Sequence, residues 1–456
     1  MIVIKFGGTS VEEASAIERL CEIVRERQRQ HPVVVVSALA KVTDALLKAA
    51  SLAAAADDSA MLRLLNELQV RHQSVSRELL ADPAAVVTKV RQFFDELRTV
   101  LVAVCALGEL TPRLSDRIVS YGERLSTEIV SAALLEDGIA NELVDARECI
   151  LTDDAYGAAA PRADETSDRV RDRLLPLLGE GIIPILAGFI ASNGKGQTTT
   201  LGRGGSDFSA AIIAAALGAE RVEIWTDVDG IRTTDPRLHD KTQHIETLSF
   251  HEAAELAHSG AKVLHPATLL PAIEKNIPVI VLNSRNPRHP GTRVQAESEG
   301  AARIKAIAVK KGLILLEAST PRALRRNGLA RDLFGVLDQY GCSPDIASMS
   351  DTTVLVSLDR KELVPLVCNA LPPPVEVHAE GGKALVSLVS DGIRNISDLA
   401  ARVSAALEGL RVRLFTQGAS RLSVSFVVDE GDAAEAVRRL HREVLEQQEV
   451  LTFAAD

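Results

Sequence analysis

The segment MIVIKFGGTS (residues 1–10) joins a run of aliphatic side chains to a lysine, two glycines, a threonine and a serine. Residues 2–6 have the composition of a short buried β-strand. A turn of small residues after a strand can bring backbone N–H groups close to an anion. The segment therefore predicts a core strand that ends in an anion-binding turn or in a plain glycine turn, and by itself it leaves both open.

Strand and helix patterns alternate after this segment. Further apolar runs have the length of buried strands and lie at 33–37, 182–187, 222–226 and 278–282. Helical patterns separate them, beginning with residues 11–29, and this order is typical of an α/β fold with a largely parallel core sheet. Ala, Leu, Glu and Arg dominate from about 44 to 136, which predicts a helical subregion.

The C-terminal third has a different organisation. A turn-rich stretch at 286–303 predicts a linker that follows a first domain of residues 1–285. Beyond it the order β-α-β-β-α-β occurs twice, at 304–380 and at 381–456, with the last strand expected at 449–453. We therefore expect two ferredoxin-like α+β repeats.

Bulk composition excludes several classes of protein. A length of 456 residues predicts two or three domains, and a net charge of −11 argues against nucleic acid as a partner. The five cysteines lie far apart and form no C-x-x-C pair, so we expect neither a structural zinc site nor a disulfide framework. Reduced thiols are typical of cytoplasmic proteins, so we expect this location. No signal-peptide pattern and no apolar run of about 18 residues occurs, so no membrane association is expected.

The stretch NGKGQTTTLGRGGSDFSAA (193–211) carries the densest functional signal. It contains five glycines, three successive threonines and several charged side chains, and it leads into an apolar helix. Bare backbone and polar groups at a helix start, here with Ser206 as the expected cap, predict a site for anionic groups. A flexible surface loop is the alternative. The spacing matches neither a Walker A loop nor G-x-G-x-x-G.

Three shorter motifs are weaker when taken singly. YGERLS (121–126) places a glutamate in a helical pattern, WTDVDGIRTTDPR (225–237) follows a buried strand, and SGAKVLHP (259–266) contains a lysine next to apolar residues. Loops after parallel strands are where α/β sheets bind ligands, although each charged residue could also simply face water. HEAAE (251–255) lacks the second histidine of a zinc protease, so that function is excluded.

Taken together, KFGGTS, SYGERLS, TLGRGGSD, WTDVDGI and GAKVLHPATL resemble the motifs of the aspartokinases, within the amino-acid kinase family. The resemblance covers nearly the whole chain, and the two C-terminal repeats resemble ACT regulatory domains. It is strongest to the lysine-sensitive, monofunctional class. It implies transfer of the γ-phosphate of ATP, with Mg²⁺, to the side-chain carboxylate of L-aspartate, at the entry to lysine, threonine and methionine synthesis.

The resemblance also implies the roles of individual residues, and we assign no side chain as a metal ligand at this stage. The positions that match ATP contacts are Lys5, Gly7, Gly8, Thr226, Asp227, Arg232, Arg237, Lys262 and Val263. The positions that match substrate contacts are Thr43, Glu123, Arg203 and Ser206.

Elementary chemistry is consistent with these roles. The side-chain carboxyl of aspartate has a pKa of about 3.9, so the nucleophile is ionised at neutral pH and needs no general base. Two anions must instead be brought together, and Lys5 and Lys262 are the expected catalytic cations, with Asp207 orienting Lys5. The fork of Arg203 suits an α-carboxylate, and Glu123 suits an α-ammonium.

Regulation is expected in the first repeat. The stretch GCSPDIASMSD (341–351) matches the effector contacts of the lysine-sensitive class, which implies Ser343, Pro344, Asp345 and Ser350 as contacts and L-lysine as the first candidate effector. Asp345 would hold an effector ammonium. Two such repeats also imply a homodimer, or a dimer of dimers, through the ACT domains.

Two other functions remain open at this stage. A non-catalytic amino-acid sensor could retain the fold, although it would have no use for lysines that face phosphate. A kinase for another acid, such as glutamate or N-acetylglutamate, differs only in its acceptor, and one methylene is worth only about 1–3 kcal/mol in a pocket.

Overall fold

The computed structural model describes residues 1–261, 266–297, 303–320, 328–373 and 375–446. They form two compact units. The first unit contains residues 1–231, 246–250 and 266–297, and the second contains 232–245, 251–261 and the described residues from 303 onwards.

Parallel strands form the centre of the first unit. In the part of the chain before residue 298, the strands are β1 Ile2–Phe6, β2 Pro32–Val36, β3 Asn141–Val144, β4 Leu151–Thr152, β5 Ile183–Ala187, β6 Ile190–Asn193, β7 Thr198–Thr200, β8 Val222–Thr226, β9 Thr247–Ser249, β10 Val279–Asn283 and β11 Thr292–Gln295. Eight of these described strands make one sheet in the order β3-β5-β2-β1-β8-β10-β11-β9. Every neighbouring pair is parallel except β10 and β11. The expected parallel core sheet is therefore confirmed.

Part of the predicted linker belongs to this sheet. Residues 292–295 form β11, which pairs antiparallel with Val279–Val281 of β10 and parallel with β9. The turn-forming residues between 286 and 291 thus make a reversal between two strands, because the chain folds back into the sheet before it leaves the unit. The small sheet of β4, β6 and β7 was also not predicted, since its strands are only two to four residues long.

Helices surround the sheet. Within residues 1–261 and 266–297 they are α1 Ala14–Arg27, α2 Val42–Ala54, α3 Asp58–Leu79, α4 Ala84–Leu107, α5 Pro112–Glu136, α6 Ala146–Cys149, α7 Ala163–Gly179, α8 Gly205–Leu217, α9 Phe250–His258 and α10 Pro266–Glu274. Helices α2 to α5 fill the predicted helical subregion, and their apolar faces share one core with Ile2, Ile4 and Phe6 of β1. No described helix combines the length and apolar character that crossing a bilayer requires.

The carboxyl ends of the central strands meet at one edge of the sheet. The backbone N–H of Gly7 donates to Trp225 O at 2.9 Å, that of Ser37 to Phe6 O at 3.1 Å, and that of Gly188 to Val36 O at 2.9 Å. The loops after β1, β2, β5 and β8 therefore begin side by side, as the parallel topology dictates.

The second unit contains an antiparallel sheet with helices. In the described residues after 303, its elements are β12 Ala306–Ser319, α11 Leu329–Gln339, β13 Ala347–Met349, β14 Thr353–Leu358, α12 Leu363–Ala370, β15 Glu376–Val389, α13 Leu399–Ala406, β16 Val412–Gln417, β17 Ser423–Asp429 and α14 Ala433–His441. The strand order among them is β13-β14-β12-β15-β17-β16. The predicted order β-α-β-β-α-β is recognisable from β12 to the start of β15, and β-α-β-β-α follows from β15 to α14. The last strand expected in the first repeat and the first strand of the second are one strand, β15, rather than two.

The two repeats are interleaved rather than consecutive. Ala306–Lys310 of β12 pair with Leu385–Val389 of β15, whereas Ile314–Ser319 of the same strand pair with β14. Ile304 and Ile307 accordingly lie in the hydrophobic core of the second repeat, with Val386, Phe426 and Leu440 among others. The segment 306–310 thus extends the sheet of the second repeat. The strand predicted at 449–453 lies outside the described residues.

Candidate active site

A cavity of about 400 Å³ opens at the carboxyl edge of the parallel sheet. It is lined by the end of β1, the loop after β2, helix α5 and the glycine-rich loop before α8. The lining residues are Lys5, Gly8, Ser37, Ala38, Leu39, Ala40, Lys41, Thr43, Asp44, Glu123, Phe189, Gly202, Arg203, Gly204, Gly205, Ser206 and Asp207. Six of the predicted site residues, from four distant stretches of sequence, are therefore brought together with Gly8.

Lys5 and Asp207 form an ion pair on one wall of this cavity. Lys5 Nζ lies 2.6 Å from Asp207 Oδ1, and the side chains are 11% and 15% exposed. Low exposure reduces screening, so each charge fixes the position of the other more firmly than at an open surface. Because β1 is buried on both faces, the backbone that carries Lys5 is rigid.

Two glycines permit close approach of the elements around the cavity. A Cβ on Gly8 would lie 3.0 Å from Ala38 O, and a Cβ on Gly122 of α5 would lie 2.9 Å from Ala38 Cβ. Distances near 3 Å force a shift of the backbone, so only glycine lets the β1 turn and α5 meet the 37–40 loop. Gly7 differs from the expectation, because its N–H already donates to Trp225 O and is not available to a phosphate.

Glu123 is a buried carboxylate on α5. Its residue is 3% exposed, and its Oε2 has no hydrogen-bond partner among the described residues. Burial raises the pKa of Glu123 to about 8, although hydrogen bonds from its own backbone and that of Ala38 oppose the shift. Such a group is costly to leave without a cation, which makes it a strong candidate for binding one.

Arg203 lies between two glycines with left-handed backbone, Gly202 at φ 75° and Gly204 at φ 71°. Its side chain is exposed and makes no ion pair within the described part of the chain. Helix α8 begins at Gly205 with Gly204 as its N-cap, so the expected capping role of Ser206 is wrong. Ser206 lies in the first turn instead, and Gly188 lies so close that a Cβ there would be 2.7 Å from Ser206 Cβ.

Two further residues shape the cavity and were not found from the sequence. Asp116 of α5 is 2% exposed and accepts hydrogen bonds from Gly157 N, Thr200 N and Thr200 Oγ1 at 2.8–3.0 Å, which ties α5 to the strand before Arg203. Its position seven residues before Glu123, on the same helical face, was an available signal. Phe189 lines the cavity at φ 69°, a conformation that no local sequence pattern indicates.

Comparisons with known proteins agree with this geometry. The model of the amino acid kinase family matches residues 1–283, and an ACT domain model matches residues 386–444. Lysine-sensitive aspartokinase 3 of Escherichia coli is 36% identical over 98% of this chain and 99% of its own length. The chain belongs to the aspartokinases. The activity expected from the motifs, that of an aspartate kinase, is thereby confirmed.

Other relatives of this aspartokinase agree at the level of structure. Aspartokinase 1, chloroplastic, of Arabidopsis thaliana is 34% identical over 97% of this chain and 80% of its own length. The crystal structure of E. coli aspartokinase III in complex with aspartate and ADP (R-state) superposes with a TM-score of 0.86, at 34% identity, over 97% of this chain and 99% of that one. The structure of the same enzyme with lysine and aspartate (T-state) gives 0.82 at 34% identity, over 98% and 99%.

The remaining substrate position of this aspartokinase is Thr43, in the first turn of α2, where it lines the cavity. The loop before α2 is braced by Arg71 of α3, whose Nη1 donates to Ala40 O at 2.8 Å. Lys41, beside it, is exposed and has φ 67°. Arg71 was not predicted, because its contact depends on how α3 packs.

The predicted ATP positions are distributed over both units. Thr226 ends β8 next to Gly7, and its hydroxyl donates to the exposed Asp227, but neither residue lines the cavity. Arg232 and Arg237 belong to the second unit. There Arg232 donates to Thr242 Oγ1 and O at 2.5 Å, and Arg237 pairs with Asp235 at 2.7 Å. Lys262 and Val263 lie outside the described residues.

The expected effector stretch of the aspartokinase lies around β13, whose three residues are exposed. Asp345 is 6% exposed, and both of its oxygens accept hydrogen bonds from Lys310 Nζ, at 2.8 and 2.9 Å. Ser350 accepts from Thr353 N at 3.2 Å, while Ser343 is exposed and Pro344 half-buried. An effector ammonium at Asp345 would have to share this carboxylate with Lys310 or displace it.

Proposed function

We propose that this aspartokinase binds L-aspartate in the cavity at the sheet edge, with Glu123 on the α-ammonium and Arg203 on the α-carboxylate. The observation that carries the proposal is the buried Glu123 oxygen, which has no hydrogen-bond partner among the described residues, in a cavity that also presents the cations Lys5 and Arg203. One carboxylate and two cations complement the one positive and two negative charges of aspartate. Thr43 and Ser206 add hydroxyl groups at its rim.

In the proposed transfer, an oxygen of the substrate's side-chain carboxylate attacks the γ-phosphorus of ATP. A new O–P bond forms, the bond from that phosphorus to the β–γ bridging oxygen breaks, and the electron pair leaves with ADP. Lys5, held by Asp207 at 2.6 Å, would lie where charge gathers on the transferred group. Positioning of two anions against their repulsion supplies the rate, since the nucleophile is already ionised.

The nucleotide side of the proposal rests on fewer contacts. Gly8 borders the cavity, and Gly7, Thr226 and Asp227 lie at the same edge of the sheet. The expected ATP contacts of four other residues stay predictions: Arg232, Arg237, Lys262 and Val263. Arg232 would have to exchange its Thr242 contacts for the nucleotide.

As a kinase, this chain is expected to use a divalent metal, and we propose Mg²⁺ that enters with ATP. Three carboxyl groups line the cavity. Asp44 is exposed, Asp207 is paired with Lys5, and Glu123 is a poor metal ligand because burial disfavours its ionised form. Mg²⁺ commonly takes one or two carboxylates plus substrate phosphates, so this donor set fits. When bound, it would neutralise charge on the phosphates.

We further propose that L-lysine, through the stretch 343–350, inhibits the enzyme as an end product, and that the chain is a homodimer or a dimer of dimers. In this proposal residues 1–285 form the kinase domain and 304–380 and 381–456 form the regulatory repeats, with 306–310 completing the second. The matching relative is lysine-sensitive, and its T-state structure contains lysine. If 1–10 mM lysine leaves turnover and the KM for aspartate unchanged, the regulatory proposal is wrong.

The substrate proposal is tested by trapping the acyl phosphate with hydroxylamine in the presence of Mg-ATP. L-Aspartate should give hydroxamate, and N-acetyl-L-aspartate, which lacks the ammonium, should give at least roughly 100-fold less, because leaving a buried polar group unpaired costs up to about 3 kcal/mol, or more for a charged group. The Glu123→Gln variant should lose most of this discrimination. Equal use of both acceptors by the wild type would contradict the role of Glu123.

A further inference from the structure

A second cavity, of about 390 Å³, lies in the first unit on the other side of α5. Arg113, Arg117 and Arg124 of α5 line it together with Arg147 of α6, and Glu96 is the acidic side chain among the lining residues. No residue lines both this cavity and the substrate cavity, although Glu123 and its neighbour Arg124 face one each. We call this second space the arginine cavity.

Three of its four arginines make no ion pair among the described residues, although Asp145 and Glu128 are close enough to Arg124 to interact with its charge. Arg147 is paired with Asp145, with contacts of 2.5 to 3.1 Å, and its Nη1 donates to Thr198 Oγ1 at 3.3 Å. Arg113, Arg117 and Arg124 make no ion pair within the described part of the chain. Glu96 accepts a hydrogen bond from Tyr121 Oη at 3.0 Å rather than from a guanidinium.

Arg124 is held in a fixed orientation. Its guanidinium carbon lies 4.5 Å from the ring centroid of Phe93 and 4.8 Å from that of Tyr121. Contact of a guanidinium with aromatic rings leaves its N–H edges free for an anion, and this fork matches a carboxylate or phosphate with two hydrogen bonds. The cavity thus contains a pre-oriented donor as well as excess positive charge.

The arginine cavity concentrates positive charge in a protein that is acidic as a whole. The whole protein has a net charge of −11, yet this cavity is lined by four arginines and one glutamate, and only Arg147 has a paired carboxylate, that of Asp145, among the described residues. Like charges gathered in a concave space repel one another, and a bound anion relieves that repulsion. The volume is at the small end of the usual range for ligand sites, which favours a compact ligand over a polymer.

We propose that the arginine cavity is a binding site for a small, multiply charged oxyanion, distinct from the substrate site. The shared chemistry of the ligand is two or more phosphate or carboxylate groups within a few ångströms of each other. Arg113, Arg117 and Arg124 bind it, and Arg147 and Thr198 form the opposite wall.

The test is calorimetric titration of the full chain with two probes, pyrophosphate and citrate, without Mg²⁺. At least one probe should bind at one site per chain in the millimolar range or tighter, and added salt should weaken it. The variant Arg113→Gln with Arg117→Gln should bind about tenfold or more weakly, because it loses charge-assisted hydrogen bonds. Which probe binds more tightly distinguishes a phosphate ligand from a carboxylate ligand.

Two controls separate this site from others. Arg91→Gln with Arg169→Gln changes the charge equally at exposed arginines outside the cavity and should retain binding. Lys5→Met, in the substrate cavity, should also retain it. The proposal is overturned if neither probe binds, if the two double variants bind equally, or if Lys5→Met alone abolishes binding. Arg113 and Arg117 are exposed, so their substitution leaves the core intact.

Discussion

Lys5 combines two properties that are rarely found together, a place on a fully buried strand and a charge. Its pair with Asp207 keeps the ammonium at the cavity wall, where a disordered surface lysine would sample many rotamers. Lys5→Met should lower kcat by about 10²-fold or more, since it removes a charge aimed at the transferred group. Lys48→Met, at an exposed position of α2, is the matched control. Unchanged circular dichroism with kcat within threefold of wild type would refute the role of Lys5.

Glu123 makes aspartate binding dependent on pH. Its pKa of about 8 means that most molecules carry a neutral carboxyl at pH 7, and only the ionised form attracts an ammonium. Below pH 8, kcat/KM for aspartate should therefore rise with pH, by up to tenfold per unit, and level off near 8. Glu123→Gln should be slower and lack this limb. A wild-type profile that is flat from pH 6.5 to 8 would contradict the assignment.

At the scale of elements, a buried ion network joins α1 to β8. Glu223 is 2% exposed, and it contacts Arg27 Nε at 2.6 Å, Arg221 at 2.7 Å and Trp225 Nε1 at 3.1 Å. Glu223→Ala removes the buried carboxylate from both arginines, whose guanidinium groups keep only Glu26 and Gln30 as hydrogen-bond partners among the described residues, and the free energy of unfolding should fall by about 3 kcal/mol. Glu220→Ala, which removes an exposed pair with the N-terminus, should leave the free energy of unfolding almost unchanged, because water screens that pair. Equal urea midpoints for both variants would show that the network is not stabilising.

His72 of helix α3 should make the free energy of unfolding decrease at acidic pH. His72 is fully buried, and burial lowers its pKa from 6.5 to about 4. The unfolded chain takes up a proton below pH 6.5 and the folded chain does not until about pH 4, so up to about 3 kcal/mol of stability is lost as the pH falls through that window. His72→Gln should flatten the decline of the urea midpoint over this range. His378→Gln, at an exposed histidine, should not.

On the scale of the whole molecule, the interleaved repeats determine which C-terminal fragments keep a complete sheet. Because 306–310 pair with 385–389, a fragment of residues 303–456 keeps the sheet of the second repeat, and a fragment of 312–456 loses one strand of it. The shorter fragment should unfold with a broader transition at a lower temperature, measured by circular dichroism. If both fragments melt alike, residues 306–310 contribute little to the second repeat.

Much of the fold could be predicted from the chain alone. Strands such as 222–226, the helices between 42 and 136 and the repeated β-α-β-β-α order are encoded in local periodicity, which needs no knowledge of distant residues. The motifs around Lys5, Glu123 and Arg203 identified the family by their composition. In the structure these residues lie at the end of β1, on α5 and in the loop before α8, around one cavity.

Local sequence patterns did not predict the hydrogen-bond partners of residues for which groups distant in sequence compete. The N–H of Gly7 donates to Trp225, the carboxylate of Asp345 is engaged by Lys310, and Arg232 donates to Thr242. Each of these choices depends on which backbone or side chain the tertiary structure brings within hydrogen-bonding distance, and sequence spacing carries no such distance.

The sequence by itself thus determined the class of fold and the family, because periodicity and motif composition are properties of neighbouring residues. For the same reason it predicted the residues that we propose for the phosphotransfer chemistry. Only the tertiary structure decided that 306–310 complete the second repeat, that Asp116 anchors the strand before Arg203, and that Arg147 of α6 joins the arginines of α5 around one cavity. The physical reason is the same for all three: strand register and helix packing bring together residues that lie far apart along the chain.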